Sequence, residues 1–273
     1  MCLIAFSWKA HPAHRLLLVA NRDEFYAREA TPLAWWKDHH APDVLAGRDL
    51  QEGGAWLGVS RSGRLAAVTN VRGPDVAVRK PLSRGQLVAD FLRGQETTIA
   101  FADRLEHESQ AYGGFNLLLY DGTELRYLTN RPRFLSEDVA PGVHAMSNAQ
   151  LDTPWPKARA AHAAMESVIA RSEPDEAADE AALLAVMAGR APAPDEALPL
   201  TGVSLEMERL LSPPFIQSPA YGTRCTSLIR IGVDGQVTFL ERRFDSTGQN
   251  LGDTRLKFAI ETENALPASP TPP

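Results

Sequence analysis

Cysteine is nearly missing from this chain: Cys2 and Cys225 are the only two in 273 residues. Two distant cysteines cannot build a disulfide framework, and no zinc-type spacing is present, so a reducing compartment is the expectation. Long apolar runs are missing as well. Leu3–Phe6 is too short for the core of a secretory signal and is followed by Lys9, His11 and His14, while Leu16–Ala20 is five residues, far below a membrane span. No stable membrane insertion is expected, and the cytoplasm is the expected location. Blocks of positive charge are lacking: no run of Lys and Arg exceeds two, the net charge is -6 and the pI about 5.7. This argues against a nucleic-acid partner, which would call for a basic face. Repeats, charge blocks and long amphipathic helices are lacking too, and with them the features of a pure protein-binding scaffold.

What is present is ordinary globular material, 44% hydrophobic and 23% charged, enough for one large layered domain. Residues 2–8 and Arg15–Ala20 read as strands joined by the turn His11-Pro12-Ala13-His14. Residues 25–45 read as irregular, with Pro32 and Pro42. A hairpin follows over Ala55–Ser60 and Leu65–Asn70. Ser83 caps a helix to about Arg93, and Thr97 or Thr98 caps a second to about His107. Gly114–Tyr120 and Glu124–Thr129 flank Asp121-Gly122, a strong hairpin signal, and Gly142–Ser147 is another strand. Trp155–Ile169 and Ala181–Ala188 have helical spacing, Val203–Leu211 is a short helix, and residues 189–201 are an exposed connection. Thr223–Ile231 and Gln236–Arg242 make the last hairpin, across Asp234-Gly235. Strands, helices, strands, helices and strands in that order are not βαβ alternation. They predict an α+β fold of antiparallel sheets with helices outside. The domain is expected over residues 1–262, with 263–273 a disordered Pro-, Ala- and Ser-rich tail.

Cys2 directly follows the initiator methionine. With Met1 removed, one residue carries both a thiol and a free α-amine, which together are a nucleophile and its base. Their ordinary values, about 8.5 and about 7.7–8.0, suit that pairing at neutral pH. The competing reading is a small buried hydrophobe in a strand.

Four polar stretches at strand ends could complete such a site. Asn21-Arg22-Asp23-Glu24 closes the strand paired with that of Cys2, although alternation puts Arg22 and Asp23 on opposite faces. Thr69-Asn70 and Ser147-Asn148 each offer an amide to a developing oxyanion. Tyr221-Gly222-Thr223-Arg224 brings an arginine able to hold a carboxylate. Read alone, each stretch is equally a turn, a cap or a surface salt bridge.

Taken together, Met1-Cys2-Leu3-Ile4 and Asn21-Arg22-Asp23-Glu24 resemble the signature of the NRDE family, also called the transport and Golgi organisation protein 2 family. Gly47-Arg48-Asp49, Gly53-Gly54-Ala55-Trp56-Leu57-Gly58, Val68-Thr69-Asn70-Val71-Arg72, Ser83-Arg84-Gly85, Gly114-Phe115-Asn116-Leu117, Ser147-Asn148, Pro154-Trp155-Pro156-Lys157 and Tyr221-Gly222-Thr223-Arg224 follow in the same order. The resemblance implies an N-terminal nucleophile hydrolase fold, a four-layer αββα sandwich, like that of the cysteine amidohydrolases acting on conjugated bile acids and penicillin V. It implies a site of Cys2, Asp23, Asn70, Asn148 and Arg224, with Arg22 as the candidate for the family's early arginine. It departs from those amidohydrolases at one point. Their early arginine precedes the aspartate by three residues, where this chain has Ala20, and the arginine here is adjacent, at Arg22.

Two functions are therefore expected. One is a hydrolase cleaving a linear amide or acyl (thio)ester through a Cys2 acyl-enzyme, needing no cofactor. The other is a non-catalytic pocket for haem or a lipid such as an acyl-CoA, matching the family's link to haem mobilisation and lipid homeostasis. The chain has seven histidines but no haem-attachment motif, so none is singled out as an iron ligand.

Overall fold

Two antiparallel sheets carry the structure, a computed structural model that describes residues 2–73, 80–171 and 175–261. The expected tail lies outside the described residues. The strands are β1 (Cys2–Trp8), β2 (His14–Phe25), β3 (Ala30–Trp36), β4 (Ala41–Asp49), β5 (Leu57–Ser60), β6 (Leu65–Asn70), β7 (Phe115–Tyr120), β8 (Leu125–Thr129), β9 (Leu135–Asp138), β10 (Gly142–Met146), β11 (Tyr221–Gly232), β12 (Gln236–Phe244) and β13 (Asn250–Ala259). The helices are α1 (Arg84–Arg93), α2 (Thr98–Glu108), α3 (Pro156–Ile169), α4 (Glu176–Met187) and α5 (Leu205–Leu211). One sheet has six strands in the order β10-β1-β2-β11-β12-β13, and the other has seven, in the order β3 to β9.

Alternation along β1 and β2 explains the layering. Ile4, Phe6, Trp8, Leu16, Leu18 and Ala20 point between the sheets, where they meet Leu57, Val59, Leu118 and Tyr120 of the other sheet. Leu3, Ala5, Leu17 and Val19 point the other way, onto Ala158, Ala161 and Met165 of α3 and Leu183 of α4. Ala66, Val68, Leu117 and Leu119 of the second sheet cover Leu87, Phe91 and Phe101 of α1 and α2. Helices, sheet, sheet and helices make the αββα sandwich, and strands buried on both faces read as the unbroken apolar runs seen in the sequence. Among the described residues no helix is long and apolar enough to cross a membrane.

The structure differs from expectation in four places. Asn21–Glu24 does not close β2 but continues it, because β11 pairs with all four residues and β1 with Asn21 and Arg22. Residues 25–45 are largely sheet: β3 and β4 pair across two register shifts, and Pro32 is tolerated because β3 is an edge strand. The helix expected from Ala181 already starts at Glu176, where Asp175 accepts hydrogen bonds from the Ala177 and Ala178 N–H groups. Strands β9 and β13 were not foreseen; both are sheet edges with charged, partly exposed residues, and β13 turns only alternate side chains such as Leu256 and Phe258 toward the core.

Two glycines bring the turn between β4 and β5 against the start of α1. Ala55 N–H donates to the Gly85 carbonyl at 3.1 Å. A Cβ added at Gly54 would lie 2.3 Å from the Gly85 carbonyl carbon. Gly54→Ala is expected to force these segments apart and lower stability by about 1–3 kcal/mol, the usual cost of overpacking. Urea unfolding checks it; an unchanged midpoint would show that this contact does not fix α1.

Candidate active site

A cleft of about 1110 Å³ opens at one end of the sandwich, and Cys2, Arg22, Asp23, Asn70 and Asn148 all line it. Both sheets contribute. Cys2 is the first residue of β1 and stands opposite Arg22 in the register of β2. Asn70 is the last residue of β6, and Asn148 follows β10.

A buried network joins these strand ends. Thr69 Oγ1 donates to the Ser147 carbonyl at 2.6 Å, and Arg72 N–H to the Asn148 carbonyl at 2.8 Å. Asn148 Nδ2 donates to the Asn70 carbonyl at 2.7 Å, and Ser147 Oγ to the Cys2 carbonyl at 3.1 Å. Asn148 thus spends one of its two amide hydrogens as a strut between the sheets. The side-chain amide of Asn70 has no such engagement among the described residues and faces the cleft.

The two faces of β2 give Arg22 and Asp23 different surroundings. Arg22 lies on the inter-sheet side, stacked 4.3 Å from the ring centre of Trp56. Asp23 lies on the helix side and is 1% exposed. Thr223 Oγ1 donates to its Oδ1 at 2.7 Å, and Tyr221 Oη donates to its backbone carbonyl at 2.9 Å. Beneath it, in the first turn of α3, is Lys157, 2% exposed and with no hydrogen bond to its Nζ among the described residues. Burial pushes Lys157 down from the ordinary 10.5 to about 8, while the Asp23 charge pulls it back up. Burial also raises the Asp23 carboxyl, which the Lys157 charge opposes. Neither group is within ion-pair distance of the other, so this is a spaced pair of buried charges rather than a salt bridge.

Burial likewise raises the Cys2 thiol, and the Asp23 charge adds to that. The Asp23 backbone N–H, a donor toward the sulfur, and the Arg22 charge both favour the thiolate. Burial thus favours the protonated thiol, and these two groups lower the cost of its anion.

Arg224 corrects the sequence-based expectation. It does not line the cleft. The β2–β11 register shifts between Thr223 and Cys225, so Arg224 is the extra residue of a bulge. Its Nη1 donates to the carbonyls of Phe25, Tyr26 and Arg28 at 3.0 to 3.2 Å, clamping the turn after β2. The group at Asp23 is the neighbouring Thr223 instead. Sequence reasoning also passed over Lys157 and Arg84; both lay inside quoted motifs, but a lysine or arginine early in an amphipathic helix reads as solvent-facing.

Comparison with known proteins adds the following. A family model described as Transport and Golgi organisation 2 matches residues 1–246. The Transport and Golgi organization protein 2 homolog of Bos taurus is 37% identical over 260 residues, 89% of this chain and 92% of that protein. The Homo sapiens homolog is 33% identical over 279 residues, 96% of this chain and all of that protein. Among solved structures, the C2A mutant of a conjugated bile acid hydrolase from Clostridium perfringens aligns with a TM-score of 0.46 and 9% identity, covering 96% of this chain and 97% of that one.

The buried lysine has a pH signature. Its folded-state value, about 8, lies below the ordinary 10.5, so between those limits the unfolded chain holds more protons. Stability then rises with pH across that window. Relative to Lys157→Met, the wild type is expected to gain on the order of 3 kcal/mol from pH 8 to 10.5. Urea midpoints of both proteins along that range test it; parallel profiles would mean that Lys157 is not held as a buried charge.

Proposed function

This chain belongs to the Transport and Golgi organisation 2 family, and from that premise we propose that it is an N-terminal cysteine hydrolase acting on a linear amide or acyl (thio)ester. The observation that carries the reading is the placement of Cys2: first residue of an inner strand, opposite a buried arginine, at the wall of a large cleft.

In this reading removal of Met1 leaves the Cys2 α-amine to take the thiol proton, directly or through a water. The sulfur attacks the carbonyl carbon of the substrate and its oxygen becomes an oxyanion. Asn70, whose side-chain amide has no partner among the described residues, donates to that oxygen, and Asn148, with one amide hydrogen left, is the second donor. The ammonium formed at Cys2 returns its proton to the leaving nitrogen or sulfur as the tetrahedral intermediate collapses. A water, deprotonated by the same amine, then releases the acid from the thioester on Cys2. Asp23 orients the amine, and Lys157 supplies the counter-charge that favours an ionised Asp23 away from bulk water. Arg22 favours the thiolate from across the strand pair. Arg224 acts only at a distance, through the turn it clamps.

A second reading keeps the same cleft as a non-catalytic pocket for haem or an acyl lipid. Its support is the size of the cleft and the apolar surface of Trp56, Val68, Leu82 and Trp155 in its wall. The acyl lipid fits these walls better than haem does, since the histidines of the described residues line other parts of the fold.

The test uses protein shown by intact mass to have lost Met1. A panel of N-acyl amino acids and acyl thioesters is expected to be hydrolysed by the wild type and not by Cys2→Ala, with an acyl adduct on the wild-type N-terminal peptide. Equal release by both proteins across the panel would defeat the hydrolase reading, and retained binding of acyl ligands by Cys2→Ala would then favour the pocket.

A further inference from the structure

Three guanidinium groups at the cleft, those of Arg22, Arg84 and Arg131, lack a carboxylate partner among the described residues, and Arg131 Nη1 donates to the neighbouring Asn130 carbonyl at 2.9 Å. Arg28 donates to Asp49 at 2.8 Å through Nε, and Arg72 Nη1 to Glu208 at 2.6 Å. Arg22 has neither an ion pair nor a hydrogen bond among the described residues, although it is only 6% exposed. A buried carboxylate on the inter-sheet side, Glu241, accepts a hydrogen bond at Oε1 from the Leu33 N–H at 2.8 Å and is not in ion-pair contact with Arg22. Arg84 lines the same cleft at the start of α1, and its one side-chain hydrogen bond among the described residues is from Nη1 to the Gly114 carbonyl at 3.1 Å. No acidic residue occupies the first turn of α1, and the carboxylate that acts on Arg84 is that of Glu24, in the same cleft and not in ion-pair contact with it.

A guanidinium has five N–H donors, and burying one without acceptors or a counter-charge is costly. The cost is justified where a ligand supplies both. Trp56 holds Arg22 by its flat face, leaving the in-plane N–H edge for an incoming group, the geometry that suits a two-oxygen anion. The ring itself is fixed: Gly47 lies so close beneath it that a Cβ there would be 2.3 Å from Cη2.

We propose that the substrate carries a fixed anion, a carboxylate or a phosphate, next to the bond presented to Cys2, and that Arg22 and Arg84 bind it. The apolar wall of Trp155, Val68 and Leu82 then takes the acyl part, so the ligand is an anionic amphiphile. This deepens the hydrolase reading and rests on it only for which bond is cut; recognition of the anion stands on the two arginines.

The experiment separates the two claims. Binding is measured calorimetrically to full-length Cys2→Ala with three probes: N-lauroylglycine, its neutral counterpart N-lauroylglycinamide, and dodecyl phosphate. At least one anion is expected to bind about tenfold or more tightly than the neutral amide, the scale of a charge-assisted hydrogen bond, and the tighter of the two names the source. Arg22→Gln or Arg84→Gln, each added to Cys2→Ala, is expected to erode that preference while leaving affinity for the amide unchanged, and Arg22→Lys to keep part of it. Thermal melting confirms that each variant folds; should Arg84→Gln not fold, Arg22→Gln and Arg22→Lys decide alone. Equal affinity for acid, phosphate and amide, absence of binding by all three, or a preference that survives the Gln variants would overturn the proposal. Turnover of N-lauroylglycine by the wild type is scored separately: an intact anion preference without turnover overturns the hydrolase reading and upholds the anion site.

Discussion

The hydrogen bonds of Ser147 and Asn148 are what make a site out of two strand ends. Sheets in a sandwich are held by side-chain packing, which is non-directional and tolerates small sliding of one sheet on the other. Directional bonds do not. Asn148 Nδ2 on the Asn70 carbonyl and Ser147 Oγ on the Cys2 carbonyl tie β6 of one sheet to β1 of the other through a single dipeptide. Both residues are buried, so breaking either bond strands a polar group away from water, which costs more than the bond's net worth. Asn70 and Cys2 thus keep a fixed separation without touching each other. In the proposed hydrolysis that is what a donor needs if it is to meet an oxygen formed only during reaction.

The strand β2 then divides the charges. Period-two alternation sends Arg22 between the sheets and Asp23 toward α3, so a cation and an anion adjacent in sequence do not neutralise one another. Each has its own counterpart: Trp56 for Arg22, Thr223 and the spaced Lys157 for Asp23. Cys2, across from Arg22, feels both. Burial favours its protonated thiol, while the Arg22 charge and the Asp23 N–H lower the cost of the anion. A site closed more fully would raise the thiol further, and one more open would lose the strength of these interactions to water.

Much of this was legible in the sequence, and the exceptions have physical causes. The hairpins of β1–β2, β5–β6 and β11–β12 announced themselves by apolar runs broken at Gly and Pro turns, and five of the six expected residues do line one cleft. Edge strands were harder. The residues of β13 alternate between half-buried and exposed, with charges at Asp253, Arg255 and Lys257, a pattern that does not separate an edge strand from a polar loop. Arg224 was misplaced because a bulge turns a strand residue out of its face, and nothing in the sequence fixes which residue of Thr223-Arg224-Cys225 is the extra one. Lys157 was passed over because lysine in a first helical turn is ordinarily solvated; only the packing of α3 under Asp23 shows that this one is not.

The place of Arg22 along β2 decides what its charge can reach. Positions 20 and 22 are two apart on one strand and so share a face. Ala20 packs in the inter-sheet core opposite Ile4, and Arg22, roughly 7 Å further along the same face, stands opposite Cys2 itself. A cation at position 21 or 23 would lie against α3, on the side of Lys157, where two cations would compete for Asp23. At position 20 a side chain would have to extend along β1 to meet the sulfur. At position 22 it starts opposite the sulfur, with Trp56 stacked on its guanidinium at the wall of the cleft.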